Sequence, residues 1–281
     1  MTQDFDKAKN AYLVLAHEDV EMLNFLVARL VNTGDVFIHL DQKCRISPKE
    51  VISLPGVHLF QIYNVKWGGW SIVEATLFLA DKAIQSGAQR LTLLSGVSYP
   101  IVNDERLISL AKSSLDVFDA QEVNLETIDR HFKNRFTKKH FEFKIQNQTL
   151  ARIIRKFSRE LCKYLPSINP PEYLGSMKLM LGSQWWSATL DTFQKTLALM
   201  ESDPRIKKYF STIEVSDETI FNTMFKHASD SFNITSTTYC KWGRNGRPEF
   251  LSHLSNDVTE PFYFARKFKY PNVMTVLSNF K

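Results

Sequence analysis

The first 111 residues alternate between two hydrophobic periods, and that alternation leaves few folds open. Ala11 to Ala16 (AYLVLA) is a short apolar run between polar residues, as in a buried strand, and Val20 to Val31 then repeats apolar residues at helical spacing. Asp35 to Leu40 (DVFIHL) reads as a second strand, followed by a break at Ser47-Pro48. A third, Val57 to Ile62, precedes Ser71 to Ile84, where Ile72, Ala75, Leu79 and Ala83 form one helical stripe. A fourth, Arg90 to Leu94, ends at Ser95-Gly96, and Glu105 to Ala111 is helical. Strands and helices alternating at this spacing predict βαβ units, hence an α/β fold with a mostly parallel central sheet flanked by helices. Ligands of such sheets bind at the carboxyl ends of the strands. That rule selects His17, Asp41, the loop Val65 to Trp70, and Ser95-Gly96.

The second half is less regular. A helix is expected over Leu150 to Leu165, a break at Asn169-Pro170-Pro171, and a further helix after Gly182-Ser183-Gln184-Trp185-Trp186. No internal repeat and no linker rich in Pro, Gly or Ser divides the chain, so one domain over residues 1–281 is expected. With 281 residues, 44% of them hydrophobic, the chain can bury a large core. No apolar run reaches the roughly 18 to 20 residues of a membrane-spanning helix, and the polar start Met1 to Asp6 lacks the pattern of a signal peptide, so a cytoplasmic protein is expected. Cys44, Cys162 and Cys240 are too few and too scattered for a disulfide scaffold or a paired zinc site, and are read as reduced and structural.

Charge is concentrated. Between Arg130 and Arg159 ten Lys or Arg face a single acid, Glu142, whereas the remainder holds 25 basic against 29 acidic residues. Such a segment is either a solvated surface or a cationic face for an anionic partner: a phosphate-bearing glycan, a membrane headgroup or a nucleic acid. The interleaved aromatics Phe132, Phe136, Phe141 and Phe143 keep a nucleic-acid surface in view, but no nucleic-acid motif accompanies them.

Motifs that are missing narrow the chemistry. The chain has no GxGxxG, no GxxxxGK[ST], no HExxH and no GxSxG, so cofactor-driven chemistry is not expected. The pair Asp217-Glu218 opens a helix behind Ser216, a pattern that fits capping of the first turn as well as catalysis.

Six segments occur together and in order: Tyr12 to His17 with Phe37 to Lys43, Val65-Lys-Trp-Gly-Gly-Trp-Ser-Ile-Val-Glu-Ala75, Leu94-Ser-Gly-Val-Ser-Tyr-Pro-Ile101, Gly182 to Trp186, Ser216-Asp-Glu-Thr-Ile-Phe221, and Phe264-Ala-Arg-Lys-Phe268. In this set the chain resembles the core-2/I-branching β-1,6-N-acetylglucosaminyltransferase family (glycosyltransferase family 14), which includes the peptide xylosyltransferases. The absence of a membrane anchor suggests a bacterial member. The resemblance implies a GT-A fold, Rossmann-like in its central sheet. Residues 1–119 would form the nucleotide-binding half, and 120–281 the acceptor- and diphosphate-binding half with a basic insert at 130–159. It also implies inverting transfer of a sugar, most plausibly GlcNAc, from a UDP-sugar to a hydroxyl of a glycan, without a metal ion or other cofactor, in surface polysaccharide synthesis. Xylosyl or glucuronosyl transfer remains open, as does a non-catalytic nucleotide-sugar-binding protein.

Roles follow residue by residue from the same resemblance. Glu218 matches the general base, leaving Asp217 as the cap. Lys267 matches the lysine that contacts the diphosphate, and the neighbouring Arg266 is a second contact or surface. The family's arginine falls near Thr238 and is missing, so Arg244 is the candidate replacement, with Arg247 and Lys241 behind it, or else a turn residue. Ala16, His17 and Asp41 resemble uridine contacts, although His17 could be a loop residue and Asp41 a turn cap. Trp67 occupies the place of an aromatic over the uracil, and Ser95 lies at the nucleotide. Gly182, Ser183 and Trp185 would line the sugar and acceptor pocket, with Trp185 and Trp186 unable to face it together on an extended backbone. The sole Asp-x-Asp, Asp4-Phe-Asp6, precedes the first strand and is poorly placed to hold a metal. The partners implied are a UDP-sugar, a glycan acceptor and, through residues 130–159, peripheral contact with an anionic membrane surface.

Overall fold

The structure, a computed structural model, describes residues 9–66, 68–140, 161, 164–244, 246–255, 258 and 261–279. Its strands are β1 (Asn10–Ala16), β2 (Asp35–Leu40), β3 (Val57–Phe60), β4 (Arg90–Ser95), β5 (Tyr99–Pro100), β6 (Asp116–Phe118), β7 (Gln121–Glu122), β8 (Met180–Leu181), β9 (Ser187–Thr189), β10 (Phe232–Ile234), β11 (Thr238–Cys240) and β12 (Phe264–Arg266). The helices are α1 (Val20–Leu30), α2 (Trp70–Gln85), α3 (Asp104–Lys112), α4 (Arg130–Thr137), α5 (Pro171–Leu174), α6 (Leu190–Ser202), α7 (Pro204–Phe210), α8 (Ser216–Ala228) and α9 (Asn272–Ser278).

Seven strands form the central sheet in the order β10-β6-β9-β4-β1-β2-β3. β1 pairs in parallel with both β2 and β4, β2 with β3 and β6 with β10, whereas β9 runs antiparallel to β4 and β6. The mostly parallel sheet expected from the alternation is therefore present, interrupted by one reversed strand. The chain lays β2 and β3 on one side of β1, then returns to place β4 on the other. Strand order thus reverses at β1/β4, where open α/β sheets form their ligand crevice. The carboxyl ends there are packed tightly: a Cβ on Gly96 would come within 2.9 Å of Ala16 Cβ.

Period-2 alternation along the strands divides the interior. Ala11, Leu13 and Leu15 face a core built with α2, α6, α7 and α8, while Tyr12, Val14 and Ala16 face a second core with α1, α3 and α9. The stripe Ile72, Ala75, Leu79 and Ala83 on α2 is buried as its spacing predicts. Burial of a side chain such as Ile72 or Leu79 contributes about 1.5–3 kcal/mol, and the single methyl of an alanine about 0.8 kcal/mol. Arg90 is a buried cation on β4, donating to Ser187 Oγ at 3.0 Å and Leu115 O at 3.1 Å. A small sheet β11-β12-β5 (β11 and β12 parallel, β12 and β5 antiparallel) carries the C-terminal segment back against the β4–β5 turn. Phe268 N donates to Val97 O there at 2.9 Å.

Of the expected helix at Leu150 to Leu165 and the basic run, residues 141–160, 162 and 163 lie outside the described residues. Within the described part of that run, Phe136 is fully buried, with Phe132 packed edge-on against it at 5.5 Å. Phe136 thus serves the core, and Phe132 packs against that core while partly buried. Among the described residues no helix is long and apolar enough to cross a membrane. Cys44 and Cys240 are free thiols.

Candidate active site

Four segments meet at the carboxyl end of the sheet: the end of β1, the β4–β5 turn, the end of β12 and the first turn of α8. Glu218 stands in that first turn, delivered by an unusual entry. The N-cap is Val215, whose backbone lies in the left-handed region (φ 60, ψ 39) and caps with no side-chain bond. A β-branched residue rarely adopts that conformation, and such strain costs on the order of 1–3 kcal/mol. It is held because Val215 is fully buried and its N–H donates to Gly68 O at 2.9 Å, tying the α8 entry to the loop before α2. Ser216 is the first helical residue, its Oγ donating to Ile213 O at 3.2 Å.

Asp217 is therefore not the cap expected from the sequence. It is 4% exposed, and its Oδ1 has no hydrogen-bond partner among the described residues. Burial, with the neighbouring Glu218 charge behind it, raises its carboxyl from 3.8 to about 7. Glu218, partly exposed, is also pushed upward by burial, against the opposing pull of Arg135 and Arg266. The two acids differ in access: Asp217 is sealed in, whereas Glu218 reaches the crevice.

The raised pKa of Asp217 has a thermodynamic consequence. The folded state holds this proton more tightly than the unfolded chain, so its contribution to stability is complete below about pH 4 and is lost as pH rises toward 7. Asp217→Asn is expected to remove that loss and stabilise the protein above pH 7 by on the order of 1–3 kcal/mol. Thermal midpoints of both proteins from pH 4 to 8 check this; a variant whose midpoint keeps the wild-type slope contradicts it.

Facing α8 is the segment Met180 to Trp185, stitched to it by polar bonds. Gly182 N donates to Glu218 O at 3.0 Å, Asn222 Nδ2 to Ser183 O at 3.1 Å and to Glu218 O at 2.9 Å, and Met180 N to Thr223 Oγ1 at 3.0 Å. Gly182 is required by close approach: a Cβ would fall 1.8 Å from Asp119 O. Ser183 N donates to Asp119 Oδ2 at 3.2 Å, and Ser183 Oγ accepts from Trp185 N at 3.2 Å. Trp186 is fully buried among Phe193, Phe221 and Phe225, so it is the packing member of the pair. Trp185 is 7% exposed, its ring covered by the Arg266 guanidinium with Cζ 4.7 Å from the centroid.

Arg266 ends β12 directly beside Cys240 of β11, in register with it. Burial lowers its pKa, with Cys240, Glu18 and Glu218 acting in the opposite sense. Its Nε has no hydrogen-bond partner among the described residues. Lys267 follows, its Nζ 3.8 Å from Glu18 Oε1. Arg244 is exposed at the tip of a hairpin closed by the Trp242–Pro248 bridge, whose far strand joins Lys267 through Lys267 N to Glu249 O at 3.4 Å. Lys241, at the base of that hairpin, pairs with Glu249 at 3.7 Å. Thr238, where the resembled family has its arginine, is buried in β11.

At the nucleotide end, Ala16 is buried at the end of β1 and His17 is exposed, with Nε2 3.6 Å from Glu18 Oε1. Asp41 is 5% exposed and largely occupied by its own loop: Oδ1 accepts from Lys43 N at 3.1 Å and Val65 N at 3.2 Å, while Oδ2 lies 3.4 Å from Lys43 Nζ. His39, kept neutral by burial, accepts from Tyr63 N at 3.0 Å and steers the same loop toward Asp41. Ser95 is buried, its Oγ accepting from Val97 N at 3.4 Å. Trp67 and the Asp4-Phe-Asp6 segment lie outside the described residues; among the described residues no group of three or more His, Cys, Asp or Glu side chains gathers.

The structure also brings in residues that sequence reasoning missed. Glu18 pairs with Lys267. Asp119, at the end of β6, anchors Ser183, with burial raising its carboxyl. Arg135, read as one charge in a basic run, acts on Glu218, and Glu214 N donates to its carbonyl at 3.1 Å. Only Glu18, beside the strand-end His17, carried a positional signal in the sequence.

At the β1/β4 strand reversal, a carboxylate on a helix N-terminus lies in the field of Arg266, which Lys267 follows in the chain. A model of the Core-2/I-Branching enzyme family matches residues 10–261, spanning every one of these elements except β12 and its Arg266–Lys267 end. No curated protein matches the chain. With the greater part of its length matched, and with the crevice where such α/β sheets bind their ligands, the chain belongs to the Core-2/I-branching enzyme family and is a glycosyltransferase by family.

Proposed function

We propose that the protein transfers a sugar, GlcNAc foremost, from a UDP-sugar to a hydroxyl of a glycan acceptor by an inverting, metal-independent displacement that serves surface polysaccharide synthesis. The observation that carries this reading is the meeting of opposite functions in one crevice: Arg266, beside Lys267, acts electrostatically on Glu218 and lies over Trp185. In such a displacement Glu218 takes the proton of the attacking hydroxyl while Lys267 and Arg266 neutralise the departing diphosphate. A carboxyl raised by burial is a stronger base than an ordinary glutamate, which suits the role. Ala16, His17, Asp41 and Ser95 line the nucleoside end, with Trp67 offering its ring to the base. Gly182, Ser183 and Trp185 shape the sugar and acceptor pocket. Arg244, exposed at its hairpin tip, is the candidate second cation for the diphosphate. The cations of the 130–159 segment bring the enzyme to an anionic membrane surface.

UDP release with UDP-GlcNAc, UDP-Xyl, UDP-GlcA and UDP-Glc, with and without EDTA, tests this. Turnover is expected to be unchanged by chelation; its complete loss contradicts the metal-free mechanism. One observation favours a second reading. Thr238 is buried where the family has an arginine, so a nucleotide-sugar-binding protein without transferase activity is the alternative. Calorimetric binding of a UDP-sugar with neither transfer nor hydrolysis in the same assay supports it.

A further inference from the structure

The carboxylate of Glu18 sits where an anionic ligand has most to gain. Its Oε1 lies 3.8 Å from Lys267 Nζ and 3.6 Å from His17 Nε2, and its charge extends to Arg266. The backbone next to it is pinned. Asp19 lies in the left-handed region at φ 53; its Oδ1 accepts from Met22 N at 3.0 Å to cap α1, and its Oδ2 accepts from Tyr270 N at 3.2 Å. On the other side, β1 is paired with two strands up to its end. The Glu18 side chain, by contrast, is 42% exposed, against 24% for Lys267. A rigid main chain with a rotatable carboxylate at its tip can therefore leave and rejoin a partly desolvated ammonium without moving the sheet.

We propose that Glu18 is an internal stand-in for the donor's diphosphate. It holds Lys267 before the donor binds, rotates away when a nucleoside diphosphate arrives, and returns as the nucleotide departs. This rests on Lys267 being the diphosphate cation. The exchange swaps one anion for another at the same ammonium, so Lys267 is not left unpaired while partly desolvated. It weakens binding of the diphosphate and correspondingly favours release of the product nucleotide. A nucleoside without phosphates does not compete for Lys267 and is indifferent to Glu18. The residue therefore sets how strongly the site discriminates against holding UDP, a property carried by neither the base nor the uridine contacts.

Calorimetric titration of UDP and of uridine into the wild type, Glu18→Gln, Lys267→Met and the double variant tests this. Glu18→Gln is expected to tighten UDP by about three- to five-fold, the worth of a partly exposed ion pair, with uridine unchanged. Lys267→Met is expected to weaken UDP by about ten-fold or more, and in that background the Glu18→Gln gain shrinks. If Lys267→Met leaves UDP binding intact, the diphosphate role of Lys267 fails and the stand-in falls with it. If Lys267→Met weakens UDP but Glu18→Gln leaves it unchanged or weaker, Lys267 keeps its role and the stand-in alone is overturned. It is likewise overturned by a gain shared equally with uridine, or by one that persists in full without Lys267.

Discussion

Glu218→Gln is expected to lower turnover by about 10²- to 10⁴-fold, or about 2.7–5.5 kcal/mol of transition-state stabilisation, while UDP affinity stays near the wild-type value. Gln matches Glu in volume and keeps the bonds made by the residue's backbone, whose carbonyl accepts from Gly182 N and Asn222 Nδ2. What disappears is the capacity to take a proton. In the proposed mechanism, binding of the nucleotide rests on the cations at the end of β12 and on the strand ends, which the substitution leaves in place. The wild-type rate should also fall on the acid side at a pH above that of an ordinary glutamate. Burial raises the Glu218 carboxyl, and its protonated form accepts no proton. Asp217 beside it is raised as well, so the acid limb belongs to the pair. Steady-state kinetics of both proteins from pH 4 to 8, alongside calorimetric UDP binding, decide this; near-wild-type turnover in the Gln variant removes Glu218 as base.

Gly182→Ala is expected to damage both stability and catalysis. The added Cβ would fall 1.8 Å from Asp119 O and 2.5 Å from Asp119 C, a collision with backbone that no rotamer relieves. Either β6 or the Gly182 segment must shift, at a cost of about 1–3 kcal/mol or more for overpacking. The hydrogen bond from Gly182 N to Glu218 O would be strained too, adding about 1 kcal/mol. The thermal midpoint should fall by roughly 2–4 °C for each kcal/mol lost. Well below that midpoint, turnover should still drop by about 10²-fold, because a displacement near 1 Å of the base is costly in rate. A variant with unchanged midpoint and turnover would show that the segment moves freely, contrary to its bonds with Asp119, Asn222 and Glu218.

Much of the first half was legible in advance. Strands at Ala11–Ala16, Asp35–Leu40 and Arg90–Leu94, and helices at Val20–Val31, Ser71–Ile84 and Glu105–Ala111, match the observed elements within one or two residues at each end. Long elements buried on a sheet carry a strong period, and these have it. The strands of the second half escaped because they are two or three residues long and include polar ones such as Ser187–Thr189. So short a run has no readable period, and its pairing is decided by distant partners. At the candidate site, Glu218 and Lys267 were named through segments that resemble a family, and His17, Asp41 and Ser95 through their places at strand ends. Asp119 and Arg135 were not, because nothing in local spacing distinguishes an anchoring acid or a tuning base from a surface charge.

By itself the sequence determined the βαβ alternation and the family, since hydrophobic period and short motifs are local properties of the chain. Only the tertiary structure decided what the charges do. It sealed Asp217 away from solvent while exposing its neighbour, laid Arg266 over Trp185, spent most of Asp41 on its own loop, and put Glu18 against Lys267. Each of these outcomes depends on burial and on distances between segments remote in the chain, and electrostatic effects follow those quantities, not the order of residues.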